Sequence, residues 1–361
     1  VRGGVEVTVF TTDADGKGTL DVQPNREVLI DGVRVWYFPR SFPRTWFYSK
    51  QLQRVLAERT REFDIVHITS VFLAASTLGA HYAKKFKKPY LISPRGSLMR
   101  EPLIMKSALL KKLYLALIEC RNLADAAAVH FTSEREREEY AGAGFPLKKT
   151  VVVPNGLDIE SWPAEVHGDF RAKWKIPPDH PIVLAMGRIG WKKGFDTLIP
   201  AFACVLKKQP NALLVISGAD DEGYRAVVEG MVRKHKLEKS TLFTGEFQGV
   251  DAVALADADV FALPSYSENF GMAIVQAMYA GVPVVITPQV ALSREVVRAG
   301  AGLVVEKTDA AVAEALLKVL ENRTIAHELS VRGKVLVESS FLAEKVAGAF
   351  RESYTGLIRS L

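Results

Sequence analysis

The sequence predicts two doubly wound α/β domains followed by a run of helices. Three observations predict it. Short β-branched runs alternate with segments of helical spacing through most of the 361 residues. The alternation pauses once, in a stretch holding four prolines between Asn155 and Pro181, and then restarts. After "GAGLVVE" (300–306) only helical patterns remain.

The first half supplies the strands "EVTVF", "VRVWYF", "DIVHITS", "PYLIS", "AAAVHFTS" and "KTVVVPNG", with helical spacing in "KQLQRVLAERTREF" and "ALLKKLYLALIECRNLA". That is βαβ grammar, which implies parallel strands with helices on both faces. In the second half "IVLAMGRI", "ALLVISG", "STLFTG", "DVFALPS" and "PVVIT" read as strands. The segments between them, "GFDTLIPAFACVLKKQP", "YRAVVEGMVRKHKL", "VDAVALADA" and "GMAIVQAMYAG", read as helices. The expected domains are 1–165 and 166–345, with a helix over 346–361 packing back toward the first.

Composition excludes several classes. About half of the residues are apolar, Gly and Pro are ordinary, and no apolar run reaches the ~18 residues of a spanning helix. Cys120 and Cys204 are the only cysteines and lie far apart, which argues against a disulfide framework or a zinc ribbon and fits a reducing cytosol. Charge is uneven. Residues 1–150 carry 24 Lys and Arg against 16 Asp and Glu, while the remainder carries 23 against 25. A basic first half suits an anionic partner, such as a membrane surface met by the basic stretches "KKFKKP" and 105–119. Nucleic acid is disfavoured, because no basic and aromatic interleaving or recognition motif is present.

Two strand-to-helix loops carry the chemistry. In "LPSYSENFGMAIVQAMYAG" a strand ends at Pro264 and a helix starts near Gly271. A helix start offers unpaired N–H groups and the positive end of the dipole, and glycine lets a ligand come close to the backbone. Glu268 lies just before it, where a carboxylate can bond sugar hydroxyls. In "MGRIGWKKGFDTLIPAF" the residues Arg188, Lys192, Lys193 and Gly194 share a second such loop. Two cations at the carboxyl end of a strand suit a diphosphate.

With "VPNGLD" (Val153–Asp158), "GRIGWKKG" (Gly187–Gly194), "FTG" (Phe243–Gly245) and "ADVFALPSYSENFGMAIVQAMYAGVPVV" (Ala258–Val285), the chain resembles the retaining glycosyltransferases of family 4, the glycosyl transferases group 1, which have the GT-B fold. The resemblance covers nearly the whole chain. It implies two Rossmann-like domains facing a cleft, an acceptor-binding N-terminal one and a donor-binding C-terminal one. It implies that Arg188 and Lys193 hold and stabilise the departing diphosphate beside Gly187, and that Glu268 holds hydroxyls of the transferred sugar. The backbone at Asn269, Phe270, Gly271, Met272 and Ala273 would line the sugar and phosphates, Gln276 would meet the ribose, and Gly245 to Phe247 would pass near the base. Arg95, Gly96 and Asn155 fall on the acceptor side. The resemblance further implies a UDP- or GDP-sugar donor and a glycan or polyprenyl-linked acceptor of surface polysaccharide synthesis. No metal or other cofactor is expected, and the place is the cytoplasm, with peripheral contact at the inner face of the plasma membrane.

The chain departs from the family pattern in three places. Gln276 stands where the family usually has a second Glu. An amide accepts through one oxygen and lacks charge assistance, so weaker nucleotide binding is expected, by about 1–2 kcal/mol. Arg95-Gly96 stands where the family often has His-Gly, and an arginine cannot act as a general base near neutral pH. The strand in "VEVTVFTTD" resembles the family's second, so the first strand and its Gly-rich loop are expected to be missing, which would expose sheet edges. Two further functions fit the same motifs: a donor-binding protein without turnover, and a sugar-nucleotide epimerase. Asp13–Asp15 and Asp257–Asp259 are acidic pairs, the second explained by a helix end and a strand start. His67 and His130, at strand ends, read as packed or hydrogen-bonded core histidines.

Overall fold

The structure, a computed structural model, describes the whole chain except residues 2, 17, 43–45, 100–112, 161, 163–166, 247–251 and 361. The chain divides into two units, Val1–Pro154 with Val346–Leu361, and Asn155–Lys345.

Among the described residues the first unit holds nine strands: β1 (Thr8–Thr12), β2 (Ala14–Asp15), β3 (Gly18–Thr19), β4 (Glu27–Ile30), β5 (Val33–Phe38), β6 (Val66–Thr69), β7 (Tyr90–Ser93), β8 (Ala128–Phe131) and β9 (Thr150–Val152). Helices α1 (Lys50–Arg59), α2 (Ala74–Lys85), α3 (Cys120–Asp125) and α4 (Glu134–Gly142) join them, and a π-helical turn (Leu115–Glu119) leads into α3. Strands β6-β7-β8-β9 form a parallel sheet, and β1-β5-β4 form a mixed one, with β1 parallel and β4 antiparallel to β5. Among the described residues β1 pairs only with β5, and β6 only with β7. Strand β4 returns antiparallel to β5 through Asp31-Gly32, both left-handed (φ 47° and 79°), the geometry a two-residue hairpin needs.

Period-2 alternation gives the four-stranded sheet two buried faces. Ile68, Ile92, Val129 and Phe131 pack on one side with Leu98, Leu115, Leu123 and Tyr140. Leu91, Ala128, Val151 and Val153 point the other way, against Val346, Phe350, Tyr354 and Leu357 of the C-terminal helix (Ala343–Arg359).

The second unit is one parallel sheet, β12-β11-β10-β13-β14-β15, built from β10 (Ile182–Met186), β11 (Leu213–Ser217), β12 (Thr241–Gly245), β13 (Val260–Leu263), β14 (Val284–Ile286) and β15 (Gly302–Val304). Its helices are α5 (Asp169–Trp174), α6 (Phe195–Val205), α7 (Tyr224–Lys234), α8 (Ala252–Ala256), α9 (Met272–Tyr279), α10 (Ser293–Ala299), α11 (Asp309–Glu321) and α12 (Arg323–Ser340). Ile182, Leu184, Phe261, Leu263, Val284 and Ile286 face α9 and Val337, whereas Val183, Ala185, Val260, Ala262 and Val285 face α6 and α11. Both faces are covered, so these strands read as continuous apolar runs. Each fully buried Leu, Ile, Val or Phe contributes roughly 1.5–3 kcal/mol.

Helix α5 lies inside the proline-bearing stretch read as a junction. Its start is held by a distant residue: Asp257 accepts from the N–H groups of Gly168 (2.6 Å) and Arg171 (2.9 Å). The second acidic pair is thus structural, since Asp259 also accepts from the Ile182 N–H and from Arg171. Among the described residues no group of three or more His, Cys, Asp or Glu could hold a metal ion, and no helix is long and apolar enough to cross a membrane.

Candidate functional site

The strand order of the second unit locates its site. The chain runs outward from β10 through β11 to β12, then returns to the other side of β10 as β13. Helices leave β10 and β13 in opposite directions, and ligands of open α/β sheets bind at the carboxyl ends of the strands where the order reverses. The two loops singled out above, 187–194 and 264–271, are the ones that leave β10 and β13.

Glycines let these loops close on one another. A Cβ on Gly194 would lie 1.9 Å from the Pro264 carbonyl oxygen, and Gly194 is left-handed (φ 72°). A Cβ on Gly218, after β11, would lie 2.0 Å from the Gly187 oxygen. The Tyr266 N–H donates to the Lys192 carbonyl at 2.8 Å. On the far side the Ala291 N–H donates to the Glu268 carbonyl at 3.0 Å, and the Thr287 hydroxyl to the Ser265 carbonyl at 2.8 Å. The loop bearing Glu268 is therefore fastened along both edges.

Within that frame Lys193 and Glu268 meet. The ammonium lies 2.6 Å from the carboxylate, and both side chains are 20% exposed. Gly187 (φ 131°) lies against the lysine, a Cβ there falling 3.4 Å from Lys193 Nζ, an ordinary contact. Arg188 is different: its side chain is 78% exposed and lies 3.7 Å from Asp221, on the loop after β11. Around the pair, the Tyr266 hydroxyl donates to Asp196 at 2.5 Å, Trp191 lies 5.9 Å from the Tyr266 ring, and the Lys307 ammonium lies 3.5 Å from it.

Gly271 (φ 94°) precedes the first turn of α9, whose leading N–H groups have no acceptor within the helix. Ile274, Val275, Ala277 and Met278 are buried, which leaves Met272, Ala273 and Gln276 half-buried along one face. Phe270 is different from its neighbours: its ring is buried against Phe341 (centroids 5.7 Å apart), so only its backbone is available to a ligand. Gly245 (φ 79°) ends β12 and accepts from the Gly218 N–H at 2.9 Å. Phe247 lies outside the described residues. Asn155 begins the second unit, and Arg95 and Gly96 belong to the first.

Residues 167–335 match the family described as Glycosyl transferases group 1, and residues 1–156 match the Glycosyl transferase 4-like domain. Between them the two take in most of the chain. The chain belongs to the group 1 glycosyltransferases.

Other proteins of known kind agree. This glycosyltransferase is 28% identical over 301 residues to an uncharacterized glycosyltransferase of Methanocaldococcus jannaschii, covering 80% of this chain and 73% of that one. It is 28% identical over 222 residues to the glycogen synthase of Mycobacterium tuberculosis, covering 61% of this chain and 51% of the synthase, so it spans about half the length of that relative. Among solved structures, sucrose-phosphate synthase of Thermosynechococcus elongatus matches with a TM-score of 0.77 at 24% identity, over 100% of this chain and 91% of that one. HepE of Anabaena, solved with UDP and glucose, matches at 0.74 and 20%, over 90% and 87%. At these identities the likeness shows the fold, which is GT-B.

The first unit holds a cluster of which sequence reading found only part. His67 (β6), Ser93 (β7) and His130 (β8) lie side by side on the sheet face under the C-terminal helix. His67 Nδ1 is 2.7 Å from the Tyr354 hydroxyl, and its Nε2 is 2.5 Å from Ser93 Oγ. Ser93 Oγ is 2.6 Å from His130 Nδ1, and His130 Nε2 is 2.8 Å from the Val153 carbonyl oxygen. Burial, above all, lowers His67 to about 3 and His130 to about 4. The nearby Arg95 charge pushes both the same way, as does His130 on His67, while the bond to Val153 works against the fall at His130. The histidines were legible as hydrogen-bonded core residues. Ser93 and Tyr354 carried no local signal. Glu136 did carry one, since Ser133-x-x-Glu136 has the spacing of a capping box; the Ser133 hydroxyl takes the Glu136 N–H, while the Glu136 carboxylate accepts from the Thr132 N–H, the Thr132 hydroxyl and the Gly96 N–H.

Proposed function

We propose that this glycosyltransferase moves a sugar from a nucleotide-sugar, a UDP- or GDP-sugar by preference, to a glycan or lipid-linked acceptor with retention of configuration. The observation that carries the reading is the Lys193–Glu268 pair at the β10/β13 reversal, beside the first turn of α9. Glu268 accepts from sugar hydroxyls. Lys193 and Arg188 face the diphosphate, with Arg188 on an exposed loop free to close on it bidentately. The N–H groups after Gly271 take the remaining phosphate oxygens. HepE, a structural neighbour solved with UDP and glucose, supports a nucleotide-sugar donor.

In this reading the bond between the anomeric carbon and the donor phosphate oxygen breaks as the acceptor oxygen bonds to the same face of that carbon. The acceptor proton passes to the leaving phosphate oxygen. Negative charge grows on the diphosphate, so cations fixed by β10 and the α9 start help more in the transition state than in the ground state. That electrostatic help makes a metal unnecessary. Glu268 is already engaged by Lys193 and serves as a binding group rather than a nucleophile. Exposed Phe42 and Trp46, in the basic first unit, favour a peripheral contact with the inner membrane face, where a lipid-linked acceptor would lie.

The test is release of nucleoside diphosphate from UDP-glucose, GDP-mannose and ADP-glucose with a mixed acceptor panel, followed by product mass. One donor should turn over, and Arg188→Ala and Lys193→Ala should each lower kcat by about 10²–10³-fold. Full turnover in both variants would remove these roles. Binding without release would mark a non-catalytic donor-binding protein, and an altered sugar still attached to its nucleotide would mark an epimerase.

A further inference from the structure

The four hydrogen bonds at the C-terminal helix have one consistent direction. A carbonyl oxygen can only accept, so His130 Nε2 carries the proton facing Val153. The neutral His130 then presents an unprotonated Nδ1, and Ser93 must donate to it. Ser93 Oγ in turn accepts from His67 Nε2–H, which leaves His67 Nδ1 to accept from the Tyr354 hydroxyl. The chain crosses β6, β7, β8 and the end of β9 in order and stops at a carbonyl. A chain that ends on a group unable to pass a proton onward does not conduct protons, so its role is to fix positions.

What it fixes is the turn after β7. Ser93 is the last residue of that strand, and Ser93-Pro94-Arg95-Gly96 folds back with the Ser97 N–H donating to the Pro94 carbonyl at 3.1 Å. Arg95 (φ 53°) and Gly96 (φ 78°) are both left-handed. For arginine that conformation costs free energy and persists only where the surroundings over-determine it. Here they do so from two sides. His67 and His130 hold the Ser93 side chain, and the buried Glu136 carboxylate takes the Gly96 N–H. Strain held this firmly at the carboxyl end of a strand points to a side chain that must be presented in one place.

We infer that Tyr354, His67, Ser93, His130 and Glu136 are positioning residues for Arg95, and that the C-terminal helix is thereby part of the acceptor side. The inference rests on the reading of Arg95 as an acceptor contact. An arginine in that place selects an acceptor with an anionic oxygen group, such as a sugar phosphate or a phosphate-linked lipid.

The test uses the full chain and variants Ser93→Ala, Ser93→Thr, Tyr354→Phe and Arg95→Ala. Amide exchange is followed over 94–98, with β8 and α4 as internal references, and glucose 6-phosphate is titrated as the probe. Ser93→Ala and Tyr354→Phe should speed exchange at the turn about tenfold, leave the references unchanged and weaken the probe about fivefold or more. Ser93→Thr, which keeps the hydroxyl, should behave as wild type. A merely structural role would speed exchange everywhere together. Unchanged exchange at 94–98 in both Ser93→Ala and Tyr354→Phe overturns the inference. Faster exchange with undiminished probe binding by Arg95→Ala would keep the positioning and overturn the acceptor role of Arg95.

Discussion

Gln276 sits with Met272 and Ala273 on the one half-buried face of α9, three positions beyond Ala273 and so one turn along the helix. A carboxylate there could accept from two ribose hydroxyls, and the amide accepts through one oxygen. Gln276→Glu should therefore tighten binding of the matching nucleoside diphosphate by about 1–2 kcal/mol, roughly 5- to 30-fold in Kd by calorimetry. An unchanged Kd would place this residue away from the ribose. Glycines supply a second prediction. Gly194→Ala and Gly218→Ala would push a methyl onto backbone oxygens 1.9 and 2.0 Å away, groups that cannot swing aside. Each should cost on the order of 3 kcal/mol or more, read as a lowered melting temperature, whereas Gly142→Ala, with open space around it, should not. Lys193, Glu268 and Gly194 were legible because a strand-loop-helix motif confines their chemistry to a few residues. The contact between Lys193 and Glu268 spans 75 positions and needed the fold.

Among the elements, those with strong local signals were readable: the alternating strands, α6, α9, and the helices after β15. Others depended on distant partners. Helix α5 forms in a proline-bearing stretch because Asp257 caps it from 86 and 89 positions away. The π-helical turn exists around Glu119, a buried carboxyl that burial pushes up and that accepts from the Phe72 N–H at 3.1 Å. Strand β4 went unread although Asp31-Gly32 announced its hairpin.

The C-terminal helix carries a pH prediction. An ordinary imidazole titrates near 6.5, whereas burial holds His67 at about 3 and His130 at about 4. A depressed histidine is neutral in the fold and binds a proton more readily once unfolded. Its stabilisation is complete above about pH 6.5 and is lost as pH falls toward the folded values. Urea midpoints should therefore drop between pH 7 and pH 4, and His67→Gln should show a shallower fall than wild type. Parallel falls would show that the His67 site does not contribute.

At the scale of the whole molecule, charge and fold divide the labour. The excess positive charge lies in residues 1–150, while Lys193 and Arg188, the cations proposed to face the diphosphate, belong to the near-neutral second unit. On this proposal donor binding rests on a few placed groups rather than on a general field, and it should survive moderate salt better than a contact made by the first unit with an anionic surface. The central claim, that the β10/β13 reversal is a diphosphate site built on Lys193 and Glu268, is tested most directly by thermal shift with UDP, GDP and ADP on wild type and Lys193→Ala. At a hundred times its Kd a ligand stabilises by about 2.7 kcal/mol. For a unit of this size that is roughly 5–11 °C. One nucleotide should shift the wild type by this much, and Lys193→Ala should abolish most of the shift. A folded wild type that responds to none of the three, or a variant that responds as fully as wild type, would contradict it.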